Sequence, residues 1–535
     1  MENGFNSQTT TQVAKSAGSV GIAVFSSRIL GLIREQVMAV LFGAGYYMDA
    51  FVVAFRIPNL LRDLFAEGAL SAAFVTVFTD YDQKKGSEAT WRLANNVLLT
   101  LTLLLSLITI LGMIFSEEII RVMAPDFGRV QGKIALTQLL TNIMFPFLIL
   151  ISVAAVIMGI LNTKGRFFIP AMASTFFNLG SIVGGVLCAW WAPAFGQPPI
   201  VGMAVGTLIG GFLQLAVQIP SLKRSGFEWR PHINLKDKGL RRIMILMIPA
   251  VIGLSASQIN IFINTNFAAR CAQGSVSWLN YAFRLMQFPI GLFGVAISIA
   301  TLPVISRHAS QKNIKALKST YISSLTMAFL LTIPASFGLA FLAKPIIRLI
   351  FEHGRFNAQD TVHTAEALIY YAVGLFAYSS VKIIVPVFYA LKDTKFPVIA
   401  SFLTVACNVA FVSLTLDIFQ HKAIAFSTSI TMIFNFVFLS VVLFRKVGGY
   451  DLKALLRSFL KIVLASLIMG LSAYYLYQGL GLILNPVGLY NQFIALALVI
   501  LTAFLVYFFL IRWMGIQEMD DVLNSVKKRF FKTQN

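Results

Sequence analysis

Apolar runs longer than about 18 residues recur from end to end of this 535-residue chain, and that is the length an α-helix needs to cross a hydrocarbon core. In lipid every backbone N–H and C=O must find its partner within the protein, which leaves helices or a closed barrel. A barrel would show short strands of alternating polarity, and that alternation is absent. The sequence therefore reads as an all-α, polytopic membrane protein. Composition agrees: 57% of residues are hydrophobic and 12% charged, against about 25% charged in a soluble domain.

About fourteen spans are expected, at roughly 18–41, 47–78, 95–116, 135–162, 168–190, 199–221, 240–268, 276–304, 318–343, 364–391, 396–417, 423–444, 455–478 and 491–513. Several exceed 25 residues, which implies tilt or helix continuing beyond the bilayer. The first 17 residues are polar and lack a signal-peptide pattern, so the first span is expected to act as its own insertion signal.

Charge sets the orientation. The net charge of +21 would suggest nucleic acid in a soluble protein. Here Lys and Arg collect in alternate loops instead, about 28 on one side and about 8 on the other. Both termini are then cytoplasmic and no nucleic-acid partner is implied. The longest basic loop, 222–242, joins spans six and seven and suits the anionic cytoplasmic leaflet. The tail with Lys527, Lys528, Arg529 and Lys532 reads as solvated or facing headgroups. Cys188, Cys271 and Cys407 have neither metal-like nor disulfide spacing.

About seven basic residues remain inside spans: Arg28, Arg34, Arg56, Arg62, Arg284, Lys382 and Lys461. Lys461 lies near a span end and can snorkel. An ionised side chain at the bilayer centre costs at least ~2.5–3.5 kcal/mol, so such groups face a watery cavity or a partner. Four of the seven fall in the first two spans. The span-two stretch 56–74 also carries Asp63 and Glu67. On a helix Asp49, Arg56 and Asp63 share one stripe, Glu67 sits beside Asp63, and Arg62 points over 100° away. Pro58 is expected to bend or loosen that helix. Arg28 and Glu35 are likewise seven apart on span one.

A faint internal echo aligns span two with span eight. Ala54-Phe55-Arg56-Ile57 resembles Ala282-Phe283-Arg284-Leu285 at an offset of 228, and Phe65 and Phe293 keep the same offset. It implies two six-helix, pseudo-symmetric lobes around a central cationic cavity, plus two extra helices. The expected divisions are an N-lobe at 1–222, a basic linker at 223–239, a C-lobe at 240–446, and 447–535 for the last two spans and tail. Embedded bases outnumber the acids Glu35, Asp63, Glu67 and Glu366, so the natural guest is an anion. Arginine's planar fork suits phosphate or carboxylate, and a lipid-linked phosphate could keep its tail in the bilayer. For each arginine the competing role is an interhelical salt bridge. No phosphate-cradling loop, metal-ligand cluster or nucleophile elbow is present in the sequence. The five histidines, His308, His353 and His363 among them, read as ordinary polar residues in loops or at span ends.

These residues resemble the MurJ (MviN) lipid II flippases of the multidrug/oligosaccharidyl-lipid/polysaccharide exporter superfamily. The carrying motifs are Ser27-Arg28 with Gly31 and Arg34; Phe42-Gly43-Ala44-Gly45 and Asp49-Ala50-Phe51; and Pro58-Asn59-Leu60-Leu61-Arg62 with Phe65-Ala66-Glu67-Gly68-Ala69. Gly159-Ile160-Leu161-Asn162, Ser277-Trp278 with Tyr281 and Arg284-Leu285, and Phe388-Tyr389-Ala390 with Asp393-Thr394 continue it. The resemblance implies a fourteen-helix transporter of alternating access, without enzymatic activity or cofactor. It would move undecaprenyl-pyrophosphoryl-MurNAc-pentapeptide-GlcNAc (lipid II) across the bacterial inner membrane, with the bilayer, lipid II and the cell-wall synthesis machinery as partners. The family's functional arginines match Arg28, Arg34, Arg62 and Arg284, its span-two acids match Asp49 and Glu67, and Arg56 matches a basic position. With Lys382, these form the expected substrate-binding set.

Where some relatives carry acids beside the span-eight arginine, this chain has Phe283 and Gln287, and Ser174 stands where proline is common. Spans seven and eleven offer Asn260, Asn264 and Asn408 rather than acids, so the resemblance carries no sodium site over. The alternatives are an exporter of another lipid-linked oligosaccharide or of drugs, a membrane glycosyltransferase, and a non-transporting scaffold. A cation-drug exporter should have an acid-dominated cavity, and the outer loops are too short for a catalytic domain.

Overall fold

The computed structural model describes residues 2–64, 69–484, 488–516 and 518, and among them there is no strand. Glu67 and the C-terminal lysines lie outside the described residues. The chain divides into two compact units, Met1–Ser277 and Trp278–Asn535. The first contains α1 (Glu2–Phe42), α2 (Tyr46–Arg62), α3 (Ala69–Lys84), α4 (Gly86–Ile114), α5 (Ser116–Met123), α6 (Lys133–Met144), α7 (Phe147–Thr163), α8 (Phe168–Trp191), α9 (Ile200–Ala216), α10 (Ile219–Lys223) and α11 (Lys238–Ala269). Helix α12 (Ser275–Pro289) begins at its end. The second continues with α13 (Val295–Ser310), α14 (Ile314–Phe341), α15 (Ala343–Phe351), α16 (Ala358–Val373), α17 (Leu375–Ala390), α18 (Lys395–Phe419), α19 (His421–Lys446), α20 (Leu452–Leu484) and α21 (Leu489–Trp513).

Among the described residues, eleven helices or helix pairs are long and apolar enough to cross a membrane, and the pair α16–α17, bent by 42°, makes a twelfth. They coincide with the third to fourteenth expected spans. The first two expected spans, richest in charge, fall on α1 and on α2 with α3. Pro58 sits inside α2, which runs on to Arg62. The departure from α geometry comes later, in a π turn at Asp63–Leu64. Helix α12 likewise passes into a π segment, Ile290–Gly294. At the offset of 228, Asp63–Leu64 maps onto Gly291–Leu292, so the echo extends from side chains to backbone.

In the first unit, α8 and α9 meet along glycines. A methyl on Gly202 or Gly206 would overlap the backbone of Ala189 or Gly185 on α8, and one on Gly180 would lie 2.9 Å from the Gly210 Cα. Lipid offers apolar side chains nothing less than a protein neighbour does, so close backbone approach and dispersion hold such helices together. A second cluster joins α3, α4, α7, α10 and α11 through Phe74, Phe78, Leu93, Leu148, Leu222 and Leu240.

The unit boundary lies one helix beyond the basic linker at 223–239, because that loop and α11 are fastened to this unit. Asn95 Nδ2 donates to the Glu228 carbonyl at 2.9 Å while its Oδ1 accepts from Arg230 N at 3.0 Å. Asn96 does the same with Asn234, at 3.0 and 2.9 Å. The loop's basic side chains stay exposed. Arg242 on α11 pairs with Asp80 on α3 at 2.6 Å. That guanidinium, and Lys84 after it, hold the partly exposed Asp80 carboxyl below its ordinary value of 3.8. A carboxylate held low favours the folded state above that ordinary value and loses the effect as pH falls through the lowered one.

The core of the second unit gathers Ile305, Leu325, Phe329, Ile384, Leu439, Ile462, Val499 and Tyr507. The last two expected spans, α20 and α21, are thus built into it. Leu498, Leu501, Phe504, Phe509 and Trp513 on α21 are exposed, as are Leu103, Leu107 and Ile110 on α4. On a soluble protein such stripes would be an aggregation hazard. On a membrane protein they face acyl chains.

Gly206→Leu is expected to break the α8–α9 contact, since overpacking costs about 1–3 kcal/mol or more. A thermal melt of the detergent-solubilised protein should fall by several degrees, whereas Gly479→Leu, where a Cβ meets nothing within 4 Å, should leave it in place.

Candidate functional site

Helix α1 is set by α8. Asn178 on α8 donates to the Ser27 carbonyl at 3.0 Å and to that of Ser174 at 3.1 Å, and Gly31 lets the Asn178 amide come to 3.7 Å from where a Cβ would sit. That contact orients the turn carrying Arg28. The Arg28 side chain is half-buried and makes no hydrogen bond or ion pair with a described residue. Its seven-residue partner on paper, Glu35, pairs instead with adjacent Arg34 at 3.0 Å. The Arg34 guanidinium also lies 5.5 Å from the Phe177 ring centroid.

Helix α2 carries three of the expected residues, and its stripe does not pair with itself. Arg56 Nη1 donates to Thr265 on α11. Arg62 reaches its neighbour Asp63, with Nη2 at 2.8 Å and Nε at 3.1 Å from the same oxygen. Adjacent residues on an α-helix do not face each other. The length of the arginine stem overcomes that here, as it does for Arg34 and Glu35. Gln258 on α11 donates to the other Asp63 oxygen at 3.3 Å. Both α2 arginines are half-buried.

Asp49 lies deepest. It is 2% exposed, as is Lys133 at the head of α6, whose ammonium is 3.0 Å from it. Asp49 also accepts from Gly274 N at 2.9 Å, Ser277 N at 3.0 Å and Ser277 Oγ at 2.6 Å. The carboxylate is fully engaged inside the protein and ties α2 to α6 and to the turn between α11 and α12. The Lys133 ammonium also sits 4.0 Å from the Phe127 ring centroid. Lys133 reads in the sequence as one more outer-loop base. The only signal against that is its place directly after Gly132, a left-handed residue (φ 75°), at the very start of an apolar run.

In the second unit, half-buried Arg284 on α12 donates to Gln287 at 3.5 Å, at a place where some relatives carry an acid. Lys382 on α17 is exposed. Its carbonyl accepts from Ser298 Oγ at 2.6 Å, while its ammonium has no partner among the described residues. Asn408 accepts from Ser427 Oγ at 2.6 Å and is buried.

The first unit thus brings four half-buried arginines onto α1 and α2, two of them in ion pairs with the acid that follows each in the chain. The second holds one embedded arginine at the equivalent helical position. A family profile described as lipid II flippase MurJ matches residues 38–484. A probable lipid II flippase MurJ of Buchnera aphidicola subsp. Acyrthosiphon pisum is 36% identical over 455 residues, 84% of this chain and 88% of the relative. The solved structure of lipid II flippase MurJ in an inward closed conformation is similar with a TM-score of 0.75 and 30% identity, over 92% of this chain and 97% of that one. An inward-facing multidrug resistance MATE family transporter of the MOP superfamily has a TM-score of 0.67 at 16% identity, over 79% and 95% of the two chains. That last likeness is one of fold.

Lys133→Met would leave a buried carboxylate without its cation, with a loss of about 3–5 kcal/mol expected. The melt of the purified protein should drop sharply, and adding Asp49→Asn should recover part of the drop. If the double variant melts lower still, by the sum of the single effects, the pair is not coupled.

Proposed function

Because the chain belongs to the lipid II flippase MurJ family, we propose that it carries lipid II from the cytoplasmic to the outer leaflet of the bacterial inner membrane by alternating access. The observation that carries this reading is the set of half-buried arginines, Arg28, Arg34, Arg56 and Arg62 on one unit and Arg284 on the other, in a chain whose helices from α4 onward are mostly long and apolar enough for lipid. The pyrophosphate is the part of lipid II they can recognise: it is doubly anionic or more, and a guanidinium meets its oxygens through two parallel N–H donors.

The residues take different parts. Arg28 is the natural first contact for the anion, since no described residue competes for it. Arg34 and Arg62 would bind by exchange, each leaving its adjacent carboxylate for a phosphate oxygen. Arg284 offers a guanidinium of the same kind within the second unit. Asp49, saturated by Lys133 and three donors, positions α2 rather than touching substrate, and Glu67 keeps its expected role. Exposed Lys382 would act as a long-range attraction. Nothing in this scheme asks for a covalent step, so the protein works as a transporter. The fourteen-span, two-lobed arrangement with both termini cytoplasmic remains the topology we propose, supported by the distribution of Lys and Arg and by the paired π turns at the 228-residue offset.

The test is complementation of flippase-depleted bacteria, read by the accessibility of lipid II at the outer face. Wild type should restore access. Arg28→Ala and Arg284→Ala should each reduce it by about tenfold or more, since a hydrogen bond to a charged group is worth about 1.5–3 kcal/mol, and Arg28→Lys should recover only part. Access restored equally by both alanine variants would sink the arginine assignment. Failure of wild type would sink the substrate.

A further inference from the structure

Away from the arginines, the second unit gathers three metal-ligating side chains that the sequence spreads over two distant segments. His363 and Glu366 lie three apart on α16 and share a face. His421 opens α19, which packs against α16. Glu366 Oε2 is 3.6 Å from His363 Nδ1 and 4.0 Å from His421 Nε2, and the three ligand atoms all lie within 4.8 Å of one another. Histidine spacing in the sequence shows no metal motif, because the residues that complete the set are 58 positions apart.

Three features separate this cluster from a chance meeting of polar side chains. His363 Nδ1 is buried without a hydrogen-bond partner, although it points at a carboxylate just beyond hydrogen-bonding range. Buried polar atoms are normally paired, and an orphan calls for an explanation. The surroundings hold the ligands in place: the Trp278 ring packs on both imidazoles, with centroids 4.2 and 5.2 Å away. Its indole N–H donates to Asp360 at 2.9 Å, and Asp360 belongs to the capping box that starts α16. The site also has a way in. His421 is buried, whereas His363 and Glu366 are partly exposed, so an ion can enter from one side and keep a water there.

We propose that His363, Glu366 and His421 form a binding site for a divalent transition-metal cation, suited to Zn2+, that ties the start of α16 to the start of α19. Two imidazoles and a carboxylate with an open fourth position match the preferences of zinc and its neighbours. Bonds of about 2.0–2.1 Å place tetrahedral ligands about 3.3 Å apart, so closure needs only small side-chain rotations. His421 Nε2 lies 3.1 Å from the His363 carbonyl, so binding of the cation shifts its proton to Nδ1. Lys422, 3.5 Å from the other Glu366 oxygen, sets the strength. Its ammonium repels the ion and competes for the carboxylate, and being partly exposed it can swing away.

The full-length protein, purified in detergent and stripped with EDTA, would be titrated with Zn2+ by calorimetry and with Co2+ by visible absorption and tryptophan emission. One equivalent should bind. Zn2+ should raise the melting temperature of wild type and not that of His363→Gln or His421→Gln. Co2+ should quench the part of the emission that Trp278→Phe removes. Lys422→Gln, a conservative change at a partly exposed residue, should tighten binding several-fold. The proposal is overturned if wild type binds no Zn2+ at about 100 μM. It is equally overturned if the histidine variants bind as wild type does, or if Lys422→Gln leaves affinity unchanged while the histidine variants fail to fold.

Discussion

One buried carboxylate holds the arginine-bearing region in place. Asp49 sits almost out of reach of solvent with Lys133 and three further donors around it. A lone charge there would carry a desolvation penalty of several kcal/mol. Its four donors come from two other parts of the unit, so the penalty is offset only when α2, α6 and the α11–α12 turn are all in register. A neutral contact could tolerate a shift of one turn, whereas a carboxylate with four donors cannot. The direction in which α2 presents Arg56 and Arg62 therefore depends on a buried carboxylate already engaged by four donors within the unit.

The remaining charges of the first unit follow a second rule, which is to pair at short range. Arg34 takes Glu35 and Arg62 takes Asp63, each with the next residue in the chain. Such a pair lowers the cost of embedding a guanidinium without committing it to another helix. It also leaves the partner beside it when the guanidinium moves. An interhelical bridge would resist motion, but an adjacent carboxylate travels with its arginine. An anion that takes Arg62 must displace Asp63, which has Gln258 within reach to receive it. Arg28 needs no such exchange among the described residues.

Much of the fold was legible from one physical requirement. Backbone satisfied within a run of about twenty apolar residues located every helix pair from α4 onward, the tight antiparallel neighbours α8 and α9 included. Charge excess likewise singled out α1 and α2. Three things were hidden for reasons of distance. The partner of Asp49 is 84 residues away, and the place of Lys133 after Gly132 at the start of an apolar run is too slight a signal to name that partner. The stripe reading of α2 used α-helical periodicity, which places Arg62 and Asp63 100° apart. The reach of the guanidinium defeats it. The basic linker looked like a boundary because it is polar and long. Yet Asn95 and Asn96 each offer a donor and an acceptor, copying a backbone ladder, and they bind the loop to α4 as firmly as a strand.

The offset of 228 residues joins these points. Arg56 and Arg284 occupy corresponding positions on α2 and α12, and π geometry follows both, seven residues after Arg56 and six after Arg284. A π turn inserts a residue into the ladder of hydrogen bonds without leaving it unsatisfied, which lets a membrane helix change its register and stay compatible with lipid. Proline was the expected place for such a change, and Pro58 lies inside an unbroken helix. The chain separates the two devices. Proline removes one donor in a region held rigid around Asp49, and the register change is kept for the turn beyond the arginines. π geometry at nearly the same place in two segments that match only at a tetrapeptide and one phenylalanine argues that backbone geometry is part of what the two halves of the chain share.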